Sequence, residues 1–365
     1  MKRLTVLLLI LSLLLCACGK SEDAVGATNA PAEPATADAP TGAPAEAPTE
    51  APTEPPVLYR HPLTGEPLDA PFTTRPLVST VNNVPSALPQ HSVSCADILY
   101  EIESEGAATR GLAFFTDLSS MGPLGSVRSA RTYFNSIAAS YDSILVHVGA
   151  SKYARNGAYD YAGNKGSQYD HIDLGVHASA SYRDQARLDA GYAWEHCLFT
   201  SGELLSQVLA DNNYTTTKEE GYDYGLTFSE TPEISGEAAS SIVVTFQGGK
   251  TTTLTRNEAT GLYEASQYDE AWIDAENDSV LSFRNVLVLK ADRSRPEGKN
   301  SFYTLVGSGD GFFACDGQIV KIQWHRDSFD APFSYTLEDG TPITLGVGKS
   351  YIAVVTTDCG DPEYK

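Results

Sequence analysis

At 365 residues the chain is long enough for two ordinary domains once non-globular stretches are set aside. Its 42% hydrophobic and 10% aromatic content can bury a sizeable core. A formal net charge of −22 excludes the basic face that nucleic-acid binding needs, and broad adhesion to anionic lipid with it.

The first twenty residues combine a short basic start, Lys2 and Arg3, with an apolar run from Leu4 to Leu15. That run suits a signal-peptide core and falls short of the roughly twenty residues a membrane span needs. It ends in "LCAC", with small Ala17 directly before Cys18. This resembles the lipobox of bacterial lipoproteins. The resemblance implies that residues 1–17 are a signal peptide, that Cys18 is lipidated, and that the chain sits on the outer face of the cytoplasmic membrane. Two acyl chains suffice for stable anchoring. Residues 19–56 lack aromatics and are rich in Pro, Ala and Glu. They cannot bury enough surface to offset ordering entropy, and read as an extended, disordered tether.

From residue 57 to about 234 the pattern is that of an α/β (or α+β) module. Residues 75–83, 97–103, 110–117 and 142–150 are rich in β-branched and aromatic residues and read as strands. Between the third and fourth, Ala130, Tyr133, Phe134, Ile137, Ala138 and Tyr141 recur at helical spacing, with Ser129 as a candidate N-cap. A second helix is expected to open at the capping box "TSGE", residues 200–203. From 235 to 365, short strands separated by Gly-Gly, Asp-Gly and Asn/Gly turns predict a mostly antiparallel β module. Four cysteines lie in the folded part. An even count outside the cytoplasm permits disulfides, and Cys95–Cys197 with Cys315–Cys359 keeps each bridge inside one module.

The strings "GAATRGLAFFTD", "GSVRSARTYF" and "YDSILVHVGAS" resemble the YerB-like bacterial lipoproteins. So do "NNVPSALPQ" and "ADILYE" upstream, and "NVLVL", "DGQIVKIQW" and "DGTPITLGVGKSYIAVV" downstream. The resemblance spans residues 61 to 355 and implies a two-module lipoprotein of uncharacterised function. Two positions depart from its pattern. Ser126 stands where proline is usual, and "EHCLFT" keeps His196 but has Cys197 where asparagine is usual.

The chemistry-bearing stretch is "GSVRSARTYF". Arg128 and Arg131 stand where a helix begins, beside Ser126 and Ser129, and Arg110 opens the preceding strand. Guanidinium forks, backbone N–H groups and the helix dipole together predict a cradle for carboxylate or phosphate. Asn82 and Lys152 are further candidate ligand contacts. The competing reading is internal: Glu101, Glu103 and Glu105 precede Arg110 and offer ion pairs. A protein-docking surface is the third. His147, inside an apolar strand, and His196, beside the capped helix, are the candidate proton-transfer groups, although no nucleophile is tied to either by motif. His177, Arg183 and Arg187 read as a solvated helix face, and Tyr153, Tyr159, Tyr161 and Tyr169 as local loop packing. No HExxH or Cys/His cluster points to a metal, and no cofactor motif is present. The sequence therefore predicts a lipoprotein that binds an anionic cell-envelope ligand or a protein partner. The alternative is a hydrolase or transferase acting on phosphorylated or carboxylated wall material.

Overall fold

The computed structural model describes residues 58–151, 170–295 and 301–365. The first folded stretch contains β1 (Leu77–Asn83), β2 (Ile98–Glu103), β3 (Thr109–Phe115), β4 (Pro123–Gly125), α1 (Thr132–Ala139) and β5 (Ile144–His147). It continues with β6 (His171–Asp173), β7 (Tyr182–Arg183), α2 (Gln185–Asp189), β8 (Leu198–Ser201) and α3 (Gly202–Asp211). The four expected strands are present, with ends within three residues of expectation. Helices, however, are few, and this stretch is largely β rather than an α/β layering. The reason lies in the pairing. β1 and β2 both run antiparallel to β3 and need only short connections, whereas α1 precedes a strand, β5, that lies parallel to β1.

The two helix starts also differ from expectation. Arg131, not Ser129, is the N-cap residue of α1, and no side chain caps it. Every residue of α1 is buried, so its first turn is closed to a ligand. In α3 the cap is Ser201 rather than Thr200, and the Ser201 hydroxyl accepts from the Leu204 N–H at 3.3 Å.

The second stretch contains β9 (Glu237–Ala238), β10 (Ser241–Thr245), β11 (Thr251–Arg256), β12 (Tyr263–Gln267), β13 (Glu270–Ala271) and β14 (Ser282–Phe283). After these come β15 (Asn285–Ala291), β16 (Gly307–Cys315), β17 (Gln318–Arg326), β18 (Ser334–Thr336), β19 (Ser350–Thr356) and β20 (Glu363–Tyr364). Antiparallel pairing dominates, as expected from the turn chemistry.

One sheet draws on both stretches, in the order β9-β17-β16-β15-β19-β2-β3-β1-β5-β6, with β18 beside β17. The seam is the parallel pairing of β2 with β19, from Ile98 opposite Ser350 to Ile102 opposite Val354. Both strands are buried along their whole length, because the sheet is covered on each face. Alternate residues serve two cores. Leu99, Ala113 and Val81 pack with Ile242, Leu254 and Phe283 of a second sheet, β13-β12-β11-β10-β20 with β14 beside β12. Tyr100, Leu112 and Val78 pack with Tyr133, Phe134 and Ile137 of α1.

The expected disulfides are absent: Cys95, Cys197, Cys315 and Cys359 are free thiols. Cys315 pairs with Asn285, which lies opposite Ser350 at the start of β19, while Cys359 follows the far end of that strand. Seven residues of strand put roughly 20 Å between those ends, against the ~7 Å limit for a bridge. The Cys197 thiol is instead turned onto the Ala193 carbonyl at 3.4 Å, and that of Cys95 onto the Ser120 carbonyl at 3.4 Å.

Candidate functional site

The segment from Ser126 to Arg131 crosses the ends of β1 and β5. Asn82 N–H donates to the Ser126 carbonyl at 2.9 Å, and Arg128 N–H donates to the Thr80 carbonyl at 3.2 Å. On the other side Val148 N–H donates to the Arg128 carbonyl at 3.1 Å, and Ala130 N–H to the Gly149 carbonyl at 3.0 Å. β1 and β5 are parallel here, so the crossing segment borders the carboxyl ends of parallel strands, where open sheets place ligands.

The three carboxylates that competed for the arginines go to three different cations. Glu101 takes Lys250, Glu103 takes Arg293, and Glu105 takes Arg131. The last pair is a fork: Arg131 Nε donates to Glu105 Oε1 at 2.9 Å and Nη2 to Oε2 at 2.6 Å. Burial would raise the Glu105 carboxyl, but the hydrogen bonds and charge of Arg131 outweigh it and hold the group at about 2. Arg131 is thereby committed to the fold.

Arg110 and Arg128 are not. Neither forms an ion pair among the described residues. Arg110 is 9% exposed and donates from Nη1 to the Ser129 carbonyl at 2.9 Å. Burial, and then repulsion from Arg131, pushes it down to about 10. Arg128 donates from Nη1 to the Glu195 carbonyl at 3.2 Å, and its buried Nε has no partner among the described residues. Burial also lowers Arg128. Two guanidiniums thus stand in partial desolvation with no ion pair among the described residues, inside a chain of net charge −22.

Asn82 and Arg110 lie directly opposite on β1 and β3, so their side chains share a face. From Asn82 the polar groups continue outward. Its Nδ2 lies 2.9 Å from His196 Nδ1, and His196 Nε2 lies 3.1 Å from Ser86 Oγ. Asn82 and His196 are buried and Ser86 is exposed. Burial first, then the charges of Arg128 and Arg187, lowers His196. Arg187 is not on a solvated face. It is buried and donates from Nη1 to the Ala87 carbonyl at 2.8 Å and to the His196 carbonyl at 3.2 Å. It therefore pins the turn carrying Ser86 to the turn carrying His196. Ser86 and His196 open on a shallow concavity of ≈ 470 Å³, shared with Pro85, Leu88, Gly191 and Tyr192.

The other sequence candidates lie elsewhere. His147 is buried, with Nδ1 at 2.8 Å from the Gly149 carbonyl and Nε2 at 2.9 Å from His171 Nδ1. Ser126, although at the start of the crossing segment, is buried with a hydroxyl that has no partner among the described residues. Arg183 stacks 4.3 Å above the exposed Trp194 ring. Lys152, Tyr153, Tyr159, Tyr161, Tyr169 and Cys18 fall outside the described residues. Ser86 was missed because its partner is 110 positions away. Its one local signal is the "NNVPSALPQ" string, which carries Asn82 and Ser86 together.

Comparison with known proteins defines the class. Residues 63–215 match a family profile described as "Protein of unknown function (DUF3048) N-terminal domain", and residues 242–352 match its C-terminal counterpart. The chain belongs to this YerB-like family. It is 26% identical over 309 residues to "Putative lipoprotein YerB" of Bacillus subtilis (strain 168), a match covering 80% of this chain and 85% of that one. The crystal structure of YerB protein from Bacillus subtilis superposes with a TM-score of 0.68, at 24% identity, over 81% of this chain and 96% of that one. That likeness shows the fold. No helix among the described residues is long and apolar enough to cross a membrane.

Proposed function

We propose that the protein is a lipoprotein held through Cys18 on the outer face of the cytoplasmic membrane, where its crossing segment binds an anionic group of a cell-envelope component. Residues 19–56 act as the tether. The ligand's carboxylate or phosphate sits against Arg110 and Arg128, framed by the Ser129 backbone. One observation carries this reading. Two partly desolvated guanidiniums that form no ion pair among the described residues gather beside a third, although acidic side chains outnumber basic ones 47 to 25. Maintaining such a cluster costs stability that an incoming anion would return.

The test is thermal denaturation of the full-length protein in detergent, titrated with phosphate, pyrophosphate and citrate. An anion present at 100 times its Kd stabilises the folded state by about 2.7 kcal/mol, a rise of roughly 5 °C in Tm. The Arg110→Gln/Arg128→Gln variant should fold and lose that rise. A wild type whose melting ignores all three anions would sink the reading.

A further inference from the structure

We infer that Ser86, His196 and Asn82 form a nucleophile–base–positioning unit that hydrolyses O-acyl esters, with Arg128 selecting esters that carry a carboxylate or phosphate beside the acyl group. The choice of anionic esters rests on the binding reading above; the nucleophile itself does not.

The geometry supplies each part. Ser86 is exposed at the edge of the concavity, so a substrate carbonyl can reach its Oγ. His196 Nε2 is within hydrogen-bond reach of that oxygen at 3.1 Å, and its Nδ1 is engaged by Asn82 at 2.9 Å. Nucleophile, base and a third group that orients the base are the arrangement by which serine is activated on unrelated folds. Arg187 fixes the distance between the two turns. In this amide orientation Asn82 Nδ2 donates to Nδ1 and the imidazole proton lies on Nε2. Turning the Asn82 amide over presents Oδ1 to an Nδ1–H and frees Nε2 to accept from Ser86. The His196 contact is the one hydrogen bond of that amide among the described residues, so nothing else in the set opposes the turn.

In the acylation step Ser86 Oγ bonds to the ester carbonyl carbon as its proton passes to His196 Nε2. Collapse of the adduct breaks the acyl–oxygen bond, and the leaving alcohol takes the proton back. Water then repeats the sequence on the acyl-serine, releasing the carboxylic acid and restoring Ser86. Arg128, which donates to the carbonyl of Glu195 beside His196, provides the charge that holds the substrate anion. Asn82 touches no substrate and acts by positioning the imidazole.

The full-length protein in detergent is treated with a fluorophosphonate probe, whose P–F bond is replaced by a P–Oγ bond on an activated serine, and followed by intact mass and peptide mapping. One adduct on Ser86 is expected. It should be absent from Ser86→Ala, whose exposed position carries no folding risk, and at least tenfold slower in His196→Gln. Asn82→Asp should keep labelling and move the midpoint of its pH profile upward, because a carboxylate stabilises the imidazolium; a merely structural asparagine would leave the profile in place. In parallel, mono-4-nitrophenyl succinate should be hydrolysed at least tenfold faster than 4-nitrophenyl acetate, and Arg128→Gln should erase that preference. A cooperatively folded wild type with no Ser86 adduct, or an adduct forming equally fast in His196→Gln, overturns the nucleophile. If citrate or phosphate still raises the Tm in that case, the binding reading survives alone. An adduct on Ser86 with no succinate preference keeps the nucleophile and overturns the role of Arg128.

Discussion

Glu105 shows how a residue that looks ordinary in sequence can carry a defined share of stability. Its folded-state value of about 2 lies below the unfolded value of ~4.3, so the pair with Arg131 stabilises the fold above about pH 4.5 and is lost as the pH falls toward 2. Allowing for partial exposure, the contribution is about 2 kcal/mol. Glu105→Gln should lower the urea midpoint at pH 7 and flatten its dependence between pH 5 and 2.5; an unchanged slope would mean the pair contributes nothing. At this scale the sequence was partly legible. The three glutamates and three arginines were visible as competitors, but which acid met which base was not, because Lys250 and Arg293 arrive from more than 140 positions away. Ser86 was hidden for the same reason.

Among the elements, β4 and β8 set the height of the crossing segment. Gly125 lies opposite Phe199 in their antiparallel pair, and Val127 N–H donates to the Leu198 carbonyl at 2.9 Å. A methyl at position 125 would stand 2.6 Å from the buried Phe199 ring. Gly125→Ala should therefore cost about 1–3 kcal/mol by overpacking, read as a lower Tm, and should weaken the anion-induced rise because Arg128 shifts with the segment. A variant with unchanged Tm would show that the ring can yield. Strand positions were legible from β-branched runs and turn residues. Their directions were not: β2 is buried on both faces, so its run of apolar and polar residues gives no alternation to separate a parallel from an antiparallel neighbour. The disulfide expectation failed for a related reason. Cysteine count constrains compartment, and strand register decides distance.

Across the molecule, the two sheets are held at a buried polar cluster centred on Glu101. Its carboxylate accepts from Asn83 at 2.9 Å, Thr252 at 2.7 Å and Tyr351 at 2.7 Å, and pairs with Lys250. These partners come from β1, β11 and β19, so one side chain links elements from both family-matched regions. Lys250→Met should destabilise by about 3–5 kcal/mol, since it strands a buried carboxylate, whereas Glu101→Gln/Lys250→Met should cost less than the two single changes together. Additive losses in chemical denaturation would deny the coupling.

The seam between β2 and β19 has a consequence in time. Ile98–Glu103 finds its partner only when Ser350–Thr356 is available, some 250 positions later. A chain emerging amino-terminus first keeps one edge of β2 unpaired until nearly all of it has been made, and such long-range parallel closure is slow. The same delay that exposes a nascent chain to misassembly also keeps it threadable. If the chain crosses a membrane before it folds, as the proposed anchoring requires, the late-arriving strand acts as a timer, withholding the finished core until passage is complete.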